Sequence, residues 1–372
     1  MGLYPVLVGL LFICGLCFSE VCVKELLEDV DFPGSDLKFV FSPDAEHCQL
    51  LCTQHPSCLF FSFVKPGITK VERPFHCYLK SSSSGGPSAQ AELVGVTSGY
   101  SLKPCEPQPD TFLPELYHET DFLGADYQSL FTADYESCQR ACTQDPACQF
   151  FTFVNELFAL EKKRLKCWLK FSWPVPIPPV VKATAGVVSG FSHALKTTNH
   201  NYPACATKLF PDTDIPGSDF QTVPAVSADH CLSLCSAHPR CTYFSYASFR
   251  CYLKSNDVDM VSSPKKGFTS GIPARHCQLD NSWQLASFEG VDFTGSDIRY
   301  LLLNDKETCQ RTCTEYHNCQ FYSYVGDEFH QSDHRLRCYL KRVITMPAPP
   351  KVNILANAVS GFSLRNYLTT PH

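Results

Sequence analysis

Residues 44–58 read Asp-Ala-Glu-His-Cys-Gln-Leu-Leu-Cys-Thr-Gln-His-Pro-Ser-Cys, and the C-x3-C-x5-C spacing of Cys48, Cys52 and Cys58 returns three more times along the chain. Cys138, Cys142 and Cys148 carry it, as do Cys231, Cys235 and Cys241, and Cys309, Cys313 and Cys319. After each triplet a fourth cysteine opens a short strand-like run: Cys77-Tyr-Leu-Lys, Cys167-Trp-Leu-Lys, Cys251-Tyr-Leu-Lys and Cys338-Tyr-Leu-Lys. Before each triplet stands a turn, Asp31-Phe-Pro-Gly-Ser-Asp36, echoed at residues 121–126, 214–219 and 292–297. Each unit ends on Ser98-Gly-Tyr-Ser, Ser189-Gly-Phe-Ser, Ser270-Gly-Ile or Ser360-Gly-Phe-Ser. Self-similarity of this kind means one supersecondary unit repeated in tandem, and it decides the architecture.

Residue type and spacing place the elements within one unit. Ser42-Pro43, ahead of residues 44–54, has the form of an N-cap followed by proline at the first helical position. Thr132, Ser227 and Asn304 offer caps at similar places. Cysteines four apart on that helix share a face and point into the core. Next comes Leu59-Phe-Phe-Ser-Phe-Val64, aromatic and β-prone, echoed at residues 149–154, 242–247 and 320–325. A polar hairpin tip leads to the Cys-aromatic-Leu-Lys strand, whose alternation turns Cys and Leu inward and the aromatic and Lys outward. The expected fold class is α+β, one helix packed on an antiparallel sheet, four times over.

The chain has 22 cysteines, far too many for a reducing cytosol unless they bind metal. Cys14 and Cys17 lie in an apolar run from residue 3 to residue 18 that is shorter than the roughly 20 residues needed to span a bilayer. Cys17-Phe18-Ser19 puts small residues at the −3 and −1 places of a signal-peptidase site, so residues 1–19 are expected to be a signal peptide, although no Lys or Arg precedes the apolar core. A secreted, extracellular protein without a membrane span follows. The formal charge of −6 argues against a nucleic-acid partner, which would need a basic surface. The sequence holds no Asn-x-Ser/Thr site for N-linked glycan.

The remaining cysteines divide six, four, six and four among the units. Cys22 and Cys105 flank the first, and Cys205 and Cys277 flank the third. The second and fourth hold Phe112 with Lys196, and Trp283 with Tyr367, at those places. Cysteines present together or absent together are expected to be bonded to each other, Cys22–Cys105 and Cys205–Cys277. Helical cysteines four apart are poorly aimed at one another, so the core four are expected to join helix to strand. That gives Cys48–Cys77, Cys52–Cys58, Cys138–Cys167, Cys142–Cys148, Cys231–Cys251, Cys235–Cys241, Cys309–Cys338 and Cys313–Cys319. In the chain-entropy description a short loop of this kind is worth about 2.4 kcal/mol and a 30-residue loop about 3.6 kcal/mol. The units are expected to span residues 22–105, 112–196, 205–277 and 283–367, with looser ends in the second and fourth.

Cysteine spacing, the Cys-aromatic-Leu-Lys strand and the Ser-Gly-aromatic-Ser ending together resemble apple domains of the PAN class, over almost all of the chain after residue 19. The resemblance implies one helix crossing a curved antiparallel sheet, with a bridge joining the termini. Four apple domains in tandem are similar to the heavy chains of the plasma prekallikrein and coagulation factor XI family, in which a trypsin-like protease follows. This sequence holds neither Gly-Asp-Ser-Gly-Gly nor Ala-Ala-His-Cys, so no Ser-His-Asp catalysis, no catalytic residue and no cofactor are expected. Four apple domains without a protease resemble the kalliklectins, mannose-binding fish lectins. That resemblance implies a secreted innate-defence lectin for microbial glycans of mannose type. The alternative it leaves open is a scaffold for extracellular proteins such as kininogen, or for polyanions. Either reading leaves room for a non-covalent homo-oligomer.

Ligand-binding candidates are the turn aspartates Asp36, Asp126, Asp219 and Asp297, as acceptors for sugar hydroxyls, and the outward aromatics Tyr78, Trp168, Tyr252 and Tyr339, as stacking faces. Hairpin chemistry accounts for the aspartates as turn residues, and packing against a neighbour accounts for the aromatics. His47-Cys48-x3-Cys52-x2-His55 and His230-Cys231-x3-Cys235-x2-His238 have zinc-ligand residue types. Repeat two has Ser137 and Asp145 at the His places and repeat four has Thr308, so disulfides are preferred and no metal is expected. Residues 161–166, Glu-Lys-Lys-Arg-Leu-Lys, are the densest basic run, expected as a solvated hairpin tip, with heparin-like polyanions as the sharper alternative.

Overall fold

The computed structural model describes residues 22–67, 73–105, 116–173, 175–193, 204, 205, 207–256, 260–275, 277–344 and 347–365. The leader, Phe112, Lys196 and Tyr367 lie outside the described residues. In repeat one, β1 (Leu27–Asp31) and β2 (Asp36–Phe41) precede α1 (Ala45–Gln54), β3 (Phe60–Val64), β4 (His76–Lys80) and β5 (Ala91–Tyr100). Repeat two runs β6 (Tyr117–Leu123), β7 (Asp126–Phe131), α2 (Tyr135–Gln144), β8 (Phe150–Val154), β9 (Lys166–Lys170) and β10 (Val180–Phe191). Repeat three runs β11 (Leu209–Asp214), β12 (Asp219–Pro224), α3 (Ala228–Ala237), β13 (Tyr243–Ala247), β14 (Arg250–Lys254) and β15 (Ser263–Gly271). Repeat four runs β16 (Phe288–Thr294), β17 (Asp297–Leu302), α4 (Lys306–Glu315), β18 (Phe321–Val325), β19 (Arg337–Lys341) and β20 (Lys351–Phe362). Four times over, this is the α+β unit read from the sequence: one helix on a five-stranded antiparallel sheet ordered β1-β5-β3-β4-β2 in the first repeat.

The sheet order puts the first two strands at opposite edges, so the turn between them must cross a face. In repeat one Phe32 leads that crossing, fully buried against the rings of Phe60 (5.7 Å) and Tyr100 (5.5 Å). Its N–H donates to Ser62 Oγ (3.1 Å), which pairs with Ser98 Oγ (2.8 Å), whose hydroxyl donates to the Val30 carbonyl (2.8 Å). The same contacts recur at Phe293, Ser323 and Ser360, which explains the serine of the Ser-Gly ending. The glycine beside it serves the other face. A Cβ on Gly99 would stand 2.9 Å from the Phe61 ring, one on Gly271 2.7 Å from Phe244, and one on Gly361 2.8 Å from Tyr322. On that other face the helix packs Cys48, Leu51 and Cys52 against Phe61, Phe63, Cys77 and Leu79. Burying a side chain of the size of Leu51 or Phe61 contributes about 1.5–3 kcal/mol.

Two expectations from the sequence are corrected. Lys80, Lys170, Lys254 and Lys341 do not face solvent: each is about 3% exposed or less. They sit on the same face as the aromatic residue, but the crossing turn roofs that end of the face. Lys80 Nζ donates to the Gly34 carbonyl (3.1 Å) and to Asp36 Oδ1 (2.5 Å), and Lys170 repeats this with Gly124 and Asp126 at the same distances. Lys254 pairs with Asp219 and Lys341 with Asp297. The second correction is the cap. Asp44, not Ser42, is the N-cap of α1, accepting from His47 N (2.7 Å), while Ser42 Oγ stands 2.8 Å from the Asp44 carbonyl oxygen. Asp134 and Asp305 likewise cap α2 and α4 in place of Thr132 and Asn304, and Ser227 caps α3. The cap needs extended backbone and an oxygen three residues before the N–H it accepts, and position 44 supplies both.

Ten disulfides staple the units. Cys48–Cys77, Cys138–Cys167, Cys231–Cys251 and Cys309–Cys338 tie helix to strand, with Cα–Cα distances of 5.3–5.6 Å. Cys52–Cys58, Cys142–Cys148, Cys235–Cys241 and Cys313–Cys319 fasten the helix end to the following loop at 5.1–5.2 Å. Cys22–Cys105 and Cys205–Cys277 close the ends of repeats one and three at 4.8 and 5.0 Å.

The units pack in a closed circuit. After β9 and β19 come proline-rich segments, residues 171–179 and 342–350. Val175 and Ile177 are buried with the core of repeat one, and Trp173 with that of repeat three. In repeat four, Ile344 is buried with the core of repeat one and Ala348 with that of repeat three. Each even repeat therefore bridges both odd ones through side chains of the segment that follows β9 or β19.

Candidate functional site

The register of β4 against β2 sets Phe39 opposite Tyr78 and Phe41 opposite His76. The four rings form one cluster: His76 stacks on Phe39 (4.9 Å, 27°) and lies 6.0 Å from Tyr78, and Phe41 meets His76 edge-on (4.8 Å). Phe39 is 52% exposed. In repeat four the opposing residue is Tyr300, 51% exposed, 5.9 Å from Tyr339, with the Arg337 guanidinium 4.3 Å over its ring. The Tyr339 hydroxyl bonds His334 Nδ1 (2.8 Å). Trp168 faces Ser129 and Tyr252 faces Thr222, so a paired ring is missing opposite them. Lys166 lies 5.3 Å over the Trp168 ring and 5.6 Å over the Phe131 ring, a single-ring site flanked by charge. All four candidate aromatics are thus half-buried on a strip that begins at the turn aspartate, with the roofed lysine between: Lys80 Nζ stands 5.6 Å over Tyr78 and Lys341 Nζ 5.4 Å over Tyr339. The four aspartates share the strip, but one oxygen of each is committed to its lysine.

The basic run of repeat two is ordered. Glu161–Lys163 forms a 3-10 turn, and Arg164 Nε donates to the Phe158 carbonyl (2.7 Å).

The histidines beside the cysteines serve the seams. His47 is fully buried, stacked on Phe191 of repeat two (5.1 Å), and a neutral ring satisfies both nitrogens by donating from Nε2 to the Pro176 carbonyl (3.0 Å) and accepting the Ser42 hydroxyl at Nδ1 (2.8 Å). Beside it Tyr117 Oη donates to Asp44 Oδ2 (2.7 Å). His230 plays the same part between repeats three and four, stacked on Trp283 (4.4 Å, 14°) and meeting Phe362 edge-on (5.5 Å). His238 lies 5.1 Å from Trp173 and 5.2 Å from Phe171 of repeat two. Burial pushes His47 and His230 down to about 4. Burial, then the charges of Lys38, Lys103 and Arg342, lower His55 to about 3, and burial, Arg275 and Arg240 lower His238 to about 4. The neighbouring cysteines are all disulfide-bonded, and among the described residues no cluster of three or more His, Cys, Asp or Glu could hold a metal. Sequence reading missed these seams. The available signal was the alternation itself: His at both helix ends in repeats one and three, proline-rich segments in repeats two and four.

Among the described residues no helix is long and apolar enough to cross a membrane. A PAN-domain family model matches residues 30–80, 120–170 and 291–341, and a second PAN-domain model matches residues 205–277. The chain is 30% identical over 357 residues to coagulation factor XI of Bos taurus, across 92% of this chain and 56% of that protein. It therefore spans about half the length of the curated relative it matches. The two N-terminal apple domains of Toxoplasma gondii microneme protein 4, known in solution, align at 20% identity over 47% of this chain and 91% of theirs, with a TM-score of 0.17, too low to bear weight. With each of the four helix-on-sheet repeats matched by a PAN model, this chain belongs to the PAN (apple) domain family.

Proposed function

We propose that this chain is a secreted, non-catalytic binding protein that takes mannose-type glycans on the aromatic strips of its four repeats. The observation that carries the reading is the recurrence of a half-exposed ring at one strand position in every repeat, Tyr78, Trp168, Tyr252 and Tyr339, around a closed circuit. Sugar rings stack their C–H faces on such side chains, and carboxylates such as Asp36 accept from hydroxyls beside them. The double-ring strips of repeats one and four, with Phe39 and Tyr300, offer the larger faces. A single shallow sugar site is commonly weak, on the order of 1 mM or about −4 kcal/mol. Several sites on one rigid body raise avidity by roughly 10² to 10⁴ where the spacing fits. Passage of the intact protein over mannose resin tests this: retention and elution by free mannose are expected, with no loss in EDTA.

The second reading is a scaffold for extracellular proteins. It is favoured by the 30% identity to factor XI and by the exposed apolar side chains of Leu302 and Ile354 in repeat four. If the protein passes through mannose resin unretained but is captured by a plasma protein such as kininogen, the scaffold reading replaces the lectin reading.

A further inference from the structure

Repeat four contains a cavity of about 300 Å³ at its seam with repeat three, between the C-terminal end of α4 and the segment that follows β19. Trp283 and Arg342 are among its lining residues, and their Nε1 and Nε atoms, themselves closed off from solvent, have no hydrogen-bond partner among the described residues. No carboxylate is among the described residues that line it. Buried N–H donors ordinarily find acceptors, and a buried guanidinium ordinarily finds an anion.

Arg342 is particular to this repeat. The residue after Cys-aromatic-Leu-Lys is Ser81 in repeat one, Phe171 in repeat two and Ser255 in repeat three. One guanidinium Nη of Arg342 donates to Asn318 Oδ1 (2.9 Å), a neutral acceptor. The second cation in the wall, Arg365, holds the chain end in place by donating to the carbonyls of Thr314 (2.7 Å) and His317 (2.5 Å). Lys103 and Arg275 hold the matching carbonyls in repeats one and three. Arg342 is thus an added positive charge where repeats one and three manage with one. Burial and the charge of Arg365 push it below its ordinary value, although a guanidinium stays protonated at any pH of interest. Phe321 and Phe362 complete the lining, so the cavity sets an apolar side beside the Arg342 guanidinium.

We propose that this cavity binds a carboxylate-bearing ligand of monosaccharide size, with the carboxylate paired to the guanidinium of Arg342. The cavity's lining includes none of the strip aromatics Tyr78, Trp168, Tyr252 and Tyr339. Arg–carboxylate pairs are charge-assisted and shorter and stronger than neutral hydrogen bonds. The direct test is isothermal titration of the intact chain at low salt with sodium glucuronate as probe and neutral glucose as control. Glucuronate is expected to bind at about 1 mM or tighter, and glucose at least tenfold more weakly. Arg342→Ser should weaken glucuronate at least tenfold, without changing retention on mannose resin. Serine at this place is what repeats one and three already carry, and near-UV circular dichroism checks that the variant is folded. Equal binding of glucuronate and glucose, or a folded Arg342→Ser protein that binds glucuronate as the parent does, would overturn the proposal.

Discussion

At the end of β14 the Lys254 ammonium is roofed by the turn, donating to the Gly217 carbonyl (3.1 Å) and paired with Asp219. Alternation along a strand assigns a side chain to a face, but it does not say what covers that face. The covering turn follows from strand order, which no local pattern reveals, and so the four lysines read as solvent-facing. A buried ammonium that loses its counter-ion is costly, whereas an apolar replacement of similar length is often neutral. Asp219→Asn is therefore expected to destabilise repeat three by about 1–3 kcal/mol, and Lys254→Met by less than about 1 kcal/mol. Urea unfolding followed by tryptophan fluorescence reads this, because Trp173 and Trp283 both pack on repeat three. Equal losses in the two variants would contradict the roofed-lysine account. The Ser-Gly ending makes a second demand. Gly271→Ala sets a Cβ 2.7 Å from the Phe244 ring, and an overpacked core of this kind is expected to lose about 1–3 kcal/mol in the same assay.

Among the elements, helix and strands were legible because their signals are local: C-x3-C on a helical face, β-prone aromatic runs, and a cysteine opening the next strand. The helix start was misread by two residues in repeats one and two, since Ser42 and Thr132 are themselves good cap residues lying just upstream of the aspartate that does the capping. The proline-rich segments after β9 and β19 carried no such signal. Read as linkers they look inert, yet Trp173 and Ile344 are buried in neighbouring repeats. Trp→Ala in a packed core costs about 3–5 kcal/mol. Trp173→Ala is accordingly expected to loosen the seam between repeats two and three while all ten disulfides stay intact. Hydrogen exchange should then rise across residues 171–179 and around His238, with the sheet of repeat one unaffected. Unchanged exchange at this segment would mean that it does not hold the circuit.

For the whole molecule, the circuit places four histidines at its seams, all held neutral. Their folded values lie near 3 to 4, below the ordinary 6.5, so an opened or unfolded state binds more protons. The stability they contribute is present above pH 6.5 and is lost as pH falls toward 4. At pH 5 the loss is about 2 kcal/mol for each of His47 and His230. Thermal unfolding should shift markedly downward between pH 7 and pH 5, and His47→Gln with His230→Gln should flatten that dependence; a flat wild-type profile would contradict buried neutral histidines at the seams. Function was less legible than fold, because the cysteine rhythm fixes a scaffold while a shallow binding face has no required residue set. Only the register, pairing Phe39 with Tyr78 and Tyr300 with Tyr339, distinguishes the strips of repeats one and four from the others. The most direct measurement is binding of the intact chain to a mannan-coated surface, compared with a variant in which Tyr78, Trp168, Tyr252 and Tyr339 are all replaced by serine. The account predicts tight multivalent binding by the parent, competed by free mannose at millimolar concentration, and a loss of at least about 10²-fold in the fourfold variant. A folded variant that binds mannan as the parent does, or a parent that does not bind it, would contradict the account.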